Sequence, residues 1–489
     1  MTLAGSRDQP VGGRILPGAG AVRRSMPLVA GLGVLAGTSY VTLVLAGRLL
    51  GAASFAGISV LYVLISSFAT GLFLPVEQEI ARRRGQERGS ATFDPGLVRR
   101  VVGASLVTAI AICLIAVAAR PVSLRLLGGS WDLLGALCVA LPGYACCFVS
   151  RGVFAGSREL WRYGLQLGVE GGFRLAGMLW LVVIGAHSVA AVGWLFAAAP
   201  WIALAASFAG RTAHLPGATV SIVRGGPLGA ALGLLLISSL AAQLLVNAGP
   251  VIIQLLATPG ERARAGAFLA ALVLVRIPVF LFTAVQPSFL PAMATHSAVD
   301  RKADFVALTR RVLTTCLVLT VVSTVVAAAL GPVLIRLLFG FRDGVGAVTF
   351  LAMGVSVGLC LVAMILAQAL LGRGMHAWTT AGWLIGLAAM LAGTLLPGSA
   401  VGKATMGFLL GAVAAACTYA VLLATALRRW ASPGPIGTLP QPGPNDGTAT
   451  FVAGPLMCRP PPSVRGTIIP HRFRRRMPRA VRDRGICRG

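Results

Sequence analysis

Negative charge is what this chain has least of. It carries 14 Asp and Glu among 489 residues, against 42 Lys and Arg. Charge of either sign is scarce too, at 11% of residues, too little to coat a soluble body of this size. There are only five histidines, all isolated, and the nine cysteines show no metal spacing, Cys146-Cys147 being an adjacent pair and not a CxxC. HExxH, Gly-x-Ser-x-Gly and a Gly-rich loop leading into Lys-Ser/Thr are all missing. No loop between the apolar stretches is long enough to hold a soluble domain. These gaps argue against an enzyme, an ATP-driven pump, a metal site, a cofactor and a nucleic-acid partner. The net charge of +28 does not reopen the last, because about ten arginines lie in the C-terminal tail and most others flank apolar runs.

What the chain does have is twelve apolar stretches, each near the ~20 residues that cross a ~30 Å hydrocarbon core. They run over 27–49, 52–74, 98–118, 133–155, 163–185 and 189–209, then 228–256, 266–290, 305–330, 345–371, 377–397 and 405–427. The signal is continuous, unlike the alternating pattern of a membrane barrel, so the expected class is an all-α polytopic membrane protein. Twelve spans divide into six plus six. This gives an N-terminal segment 1–26, a first six-helix bundle 27–209, a linker 210–227, a second bundle 228–427 and a tail 428–489. The tail is rich in Pro, Gly and Arg from 432 onward and cannot bury a core, so it reads as disordered. The first 25 residues are polar, and the first apolar run is long enough to span rather than be cleaved. Gly33-x-x-x-Gly37 and Gly229-x-x-x-Gly233 occupy similar depths in spans 1 and 7, as small-residue helix contacts would; Gly168/Gly172 and Gly354/Gly358 repeat the spacing.

Loop charge gives the orientation. With both termini inside, the inner segments hold about 22 Lys and Arg and the outer ones about 8. Both termini and the Arg82-Arg83-Arg84 loop are therefore expected at the cytoplasmic face of the cell membrane, with anionic-lipid contact as a side effect.

Charges inside spans are costly and therefore informative. Arg276 lies within span 8, two residues before Pro278, a helix-breaking position. It reads either as a contact for an anion such as a phosphate or as a buried arginine bonded to helix-end carbonyls. Glu170 and Arg174 sit one turn apart in span 5. They can neutralise each other, or act as a proton carrier (ion coupling) and a substrate contact in a wet cavity. Arg48 ends span 1 and either snorkels or lines a cavity mouth. Glu77 and Glu79 follow Pro75 and are candidates to pair with Arg82 or Arg83. Gln243 and Asn247, close to a second helix-breaking Pro250 in span 7, either bond between helices or line the pathway.

Several short stretches carry a resemblance. Phe73-Leu-Pro75-Val-Glu77-Gln-Glu79, Ser150-Arg151-Gly152-Val-Phe-Ala-Gly156, Val275-Arg276-Ile-Pro278-Val-Phe-Leu281, Gln286-Pro287-Ser-Phe-Leu-Pro291 and Leu337-Leu338-Phe339-Gly340 are similar to stretches of bacterial polysaccharide-export flippases. These are the Wzx-like group of the MOP superfamily, and the resemblance spans about 25–430. It implies a MATE-like fold, two six-helix bundles around a central cavity that opens alternately to each side. It also implies a cargo of undecaprenyl-diphosphate-linked oligosaccharide for surface polysaccharide, with glycosyltransferases and a polysaccharide polymerase as partners. Arg276, Arg174 and Arg48 would then hold the diphosphate headgroup. Two alternatives stay open within the superfamily. A cation-coupled drug antiporter typically uses a buried carboxylate in span 1 or 7, and neither span has one here. A flippase for the lipid-linked peptidoglycan precursor usually has two further spans. A third alternative is a membrane scaffold that binds lipid-linked precursors without moving them.

Overall fold

The computed structural model describes residues 19–86, 95–209, 230–258, 261, 263–341 and 345–430. The linker 210–227, the tail beyond 430 and the first 18 residues lie outside them. Among the described residues there are fifteen α-helices and no strand. The first half holds α1 (Ala19–Phe68), α2 (Leu74–Gln86), α3 (Pro95–Ala118), α4 (Arg120–Leu126), α5 (Trp131–Ser157), α6 (Leu160–Val183) and α7 (Val189–Phe208). The second holds α8 (Ala230–Asn247), α9 (Gly249–Leu256), α10 (Ala263–Val275), α11 (Ile277–Ala298), α12 (Lys302–Leu334), α13 (Ala347–Gly372), α14 (His376–Gly393) and α15 (Ala400–Arg428). Helix occupies each of the twelve expected stretches.

Three of those stretches are broken, and the residues at the breaks explain why. Spans 1 and 2 are both inside α1, separated only by Gly51 at φ 73° and ψ 166°, a backbone region that favours glycine. Span 2 then passes through a π-helical turn, Ala69–Phe73, into α2. Pro75 has no N–H for the Gly71 carbonyl four residues back, so the regular ladder cannot continue there. Because α2 runs on to Gln86, Arg82, Arg83 and Arg84 ride on a helix and not in the expected loop. Span 7 bends by 62° between α8 and α9, at Ala248. Span 8 is interrupted at Arg276, with Pro278 in the first turn of α11.

α1 packs most extensively on α6. The contact is close because glycines line it. A Cβ at Gly31 would strike the Gly164 backbone, and one at Gly164 would strike Pro27. α5 joins α2, α3 and α7, while α13 joins α11, α12 and α15. α1 and the π-helical turn also reach α8, α9 and α10, so this helix forms the seam between the two halves. Outside, α3 exposes Val107, Ile110, Leu114 and Ile115, and α12 exposes Val318, Val321, Val322 and Val325. Such continuous apolar faces suit hydrocarbon.

The small-residue pairs divide sharply. Among the described residues, Gly33, Gly37, Gly168, Gly172 and Gly233 have no atom of a neighbouring element within 4 Å of where a Cβ would stand, so none of them is a close helix contact there; Gly229 lies outside the described residues. Gly354 and Gly358 instead press directly on Thr324 and Thr320 of α12. Gly354→Leu is therefore expected to lower stability by about 1–3 kcal/mol through overpacking. Gly168→Leu should leave thermal melting in detergent unchanged.

Candidate functional site

α5 and α6 lie side by side and bury a charged cluster between them. Glu170 (2% exposed) accepts from Arg151 on α5 (Nη2 to Oε2, 2.5 Å) and from Arg174 one turn along α6. Tyr144 donates to the same carboxylate (2.7 Å) and accepts from Arg174. The network extends from Arg151 Nε to Gln166 (3.1 Å), from Gln166 to Ser150 (3.0 Å), and from Ser150 to the Cys147 carbonyl (2.8 Å). Arg151 also lies over the Phe148 ring and Arg174 over Phe196, at 5.2 and 5.4 Å from the ring centres. Two guanidinium groups thus share one ion-paired carboxylate, and a second buried carboxylate, Glu77, lies within electrostatic reach of Arg151. Arg174 Nε is buried without a hydrogen-bond partner among the described residues.

The pairing of Glu170 with Arg174 follows from their i, i+4 spacing. Arg151, Tyr144 and Gln166 were not singled out by the sequence. In the sequence Arg151 is marked only as part of the Ser150-Arg151-Gly152 stretch, with no role, and the structure places it inside α5, 4% exposed. Its signal was the helical register: Tyr144, Cys147, Ser150 and Arg151 recur at three- and four-residue spacing on one face. Glu77, offered as a partner for Arg82 or Arg83, instead accepts from Tyr163 on α6. It is Glu79 that takes both arginines, at 2.7 and 2.6 Å.

Arg276 occupies the break between α10 and α11, and its Nη2 donates to the Val246 carbonyl near the end of α8. The reason is local. Val246 would normally bond the N–H of residue 250, which is proline and has none. Pro250 frees the carbonyl, Pro278 breaks the second helix, and Arg276 joins the two breaks. This is the helix-end carbonyl reading of Arg276, but it uses only part of the guanidinium. Arg276 Nε is buried without a partner, and among the described residues no carboxylate pairs with this arginine. Tyr62 of α1 lies within electrostatic reach of both Arg276 and Arg174. Its ring packs edge-on to Phe196, 6.1 Å between centres.

The remaining candidates are held elsewhere. Arg48 donates to the carbonyls of Leu337 and, at 2.6 Å, Leu338, in the π-helical turn Ile335–Phe339 that follows α12. It ties the halves together through helix-end carbonyls. Asn247 donates to Gln243 within α8 (2.9 Å), so this bond runs along one helix and not between helices. Among the described residues no group of three His, Cys, Asp or Glu could hold a metal ion.

This architecture recurs in solved structures. An inward-facing multidrug resistance MATE family transporter of the MOP superfamily superposes with a TM-score of 0.61 at 11% identity, over 82% of this chain and 99% of that one. The chain has a MATE-like fold. A MATE transporter from Vibrio cholerae, VcmN, in a mutant form, is similar at TM-score 0.58 and 16% identity, over 83% of this chain and 96% of that one. A MOP superfamily transporter from Pyrococcus furiosus, described as having a binding pocket of reverse polarity that suggests a different function, is similar at TM-score 0.58 and 15% identity with the same coverage. No protein-family model and no curated protein matches the sequence.

Proposed function

We propose that this protein is a membrane carrier that moves an undecaprenyl-diphosphate-linked oligosaccharide across the cytoplasmic membrane by alternating access, for surface polysaccharide biosynthesis. The observation that carries the reading is the sign of the buried charge. Among the described residues three interior arginines face two carboxylates: Arg151 and Arg174 share Glu170, Glu77 lies within reach of Arg151, Arg276 has none, and both Arg174 and Arg276 keep a buried nitrogen donor unpartnered. Such an interior suits an anionic headgroup, whose phosphates would replace water with guanidinium donors. It repels a cationic drug. The acyl tail can stay in lipid while the headgroup crosses.

In this reading the two halves act as six-helix bundles that rock about the seam made by α1, with Arg276 and Arg174 as headgroup contacts. Arg48 serves as a tie between the bundles. Both termini face the cytoplasm, where glycosyltransferases supply the cargo; a polymerase consumes it at the other face. The competing reading, a cation-coupled drug antiporter, draws on the buried Glu170 and Glu77 and on the multidrug transporters of similar fold. Deleting the gene separates the two. The flippase reading expects loss of surface glycan with unchanged resistance to cationic dyes. Dye sensitivity with intact glycan would overturn it.

A further inference from the structure

A cleft of about 270 Å³ lies at the seam, between α2 with its preceding π-helical turn, α3, and α8 of the second half. Its walls are apolar, with Leu72, Phe73, Ile80, Val101 and Leu236, and it ends on Glu79 and Arg83. On the α8 side Gly233 leaves the space open, since among the described residues a Cβ there would meet nothing within 4 Å. On the α3 side Ala104 and Thr108 are exposed, beside the outward-facing Val107 and Ile110. The cleft therefore opens towards hydrocarbon. From Arg83 back to Leu72 is about 16 Å of helix rise. That is close to half of a ~30 Å core, the depth of one leaflet.

Guanidinium groups stand at that end of the cleft. Arg83 lines it and pairs with Glu79, which Arg82 also meets, and Arg99 stands exposed beside Val101 at the start of α3. The volume falls below the roughly 300–1,000 Å³ of sites for drug-sized solutes. A narrow apolar slot one leaflet deep, closed by arginines, fits a single acyl chain beneath an anionic headgroup. We propose that the cleft binds an anionic phospholipid of the leaflet on the Arg82–Arg84 side, with one acyl chain between α3 and α8 and its phosphate at Arg83. This site is separate from the Arg174 and Arg276 centres and does not depend on what the protein carries.

The test uses the full chain in nanodiscs containing phosphatidylglycerol or phosphatidylethanolamine with a photoactivatable group on one acyl chain. Labelling is expected on Leu72–Ile80, Val101–Thr108 and Leu232–Leu236. Phosphatidylglycerol should be favoured roughly fivefold, and Arg83→Gln should abolish most of that preference. Gly233→Phe fills the open space and should remove labelling by about tenfold for both lipids, with an unchanged melting temperature as the check on folding. Equal labelling by the two lipids overturns the proposal. So does labelling that persists in a folded Gly233→Phe variant, or a strong preference for a photoactivatable polyprenyl phosphate over phosphatidylglycerol.

Discussion

Glu170→Ala is expected to destabilise the protein by about 3–5 kcal/mol, enough to prevent its accumulation in the membrane. Among the described residues this carboxylate forms the ion pairs of both Arg151 and Arg174, all three side chains are buried, and the only other carboxylate acting on Arg151 there, Glu77, is bonded to Tyr163. Removing it leaves two guanidinium groups facing each other in low dielectric, with Tyr144 losing its acceptor. Glu170→Gln keeps the shape and an acceptor for Tyr144 but not the charge, so it should be nearly as harmful. A second change that removes one arginine, Glu170→Gln with Arg151→Met, should recover part of the loss, because the like-charge repulsion goes with it. Thermal melting of the detergent-purified variants, beside their expression levels, measures this. A Glu170→Ala protein as stable as wild type would mean that the two arginines are compensated elsewhere.

Arg276→Ala should behave in the opposite way, keeping the fold and losing transport. Its one bond among the described residues is to a carbonyl that Pro250 leaves free, and an interhelical hydrogen bond within a membrane contributes only about 0.6 kcal/mol on average. A charged donor to a phosphate contributes about 1.5–3 kcal/mol, so headgroup affinity should fall roughly 10–100-fold. Arg276→Lys keeps the charge but not the planar fork and should fall between the two. Binding of a labelled diphosphate lipid to the purified variants, alongside their melting temperatures, reads both effects.

Much of this was legible in the sequence, for physical reasons that also mark where legibility stops. The spans follow from hydrophobic length, and the breaks at Pro250 and Pro278 from the missing N–H. Glu170 and Arg174 follow from helical spacing. What joins Arg276 to Val246, or Arg151 to Glu170, is the packing of separate helices, which periodicity along the chain does not report. Arg151 was hidden for a further reason: it lies near a span end, where arginines are abundant for topology. The small-residue motifs misled because spacing alone does not say whether a helix or open space stands opposite, as Gly33 and Gly354 illustrate.

In the proposed mechanism, interior arginines carry an anionic headgroup across the membrane. The most direct measurement is translocation in sealed proteoliposomes, comparing a fluorescent undecaprenyl-diphosphate-linked oligosaccharide with a cationic dye. The wild-type protein is expected to move the lipid-linked sugar and not the dye, and folded Arg276→Ala should be at least about tenfold slower. Movement of the dye alone, or an undiminished rate in Arg276→Ala, would contradict it.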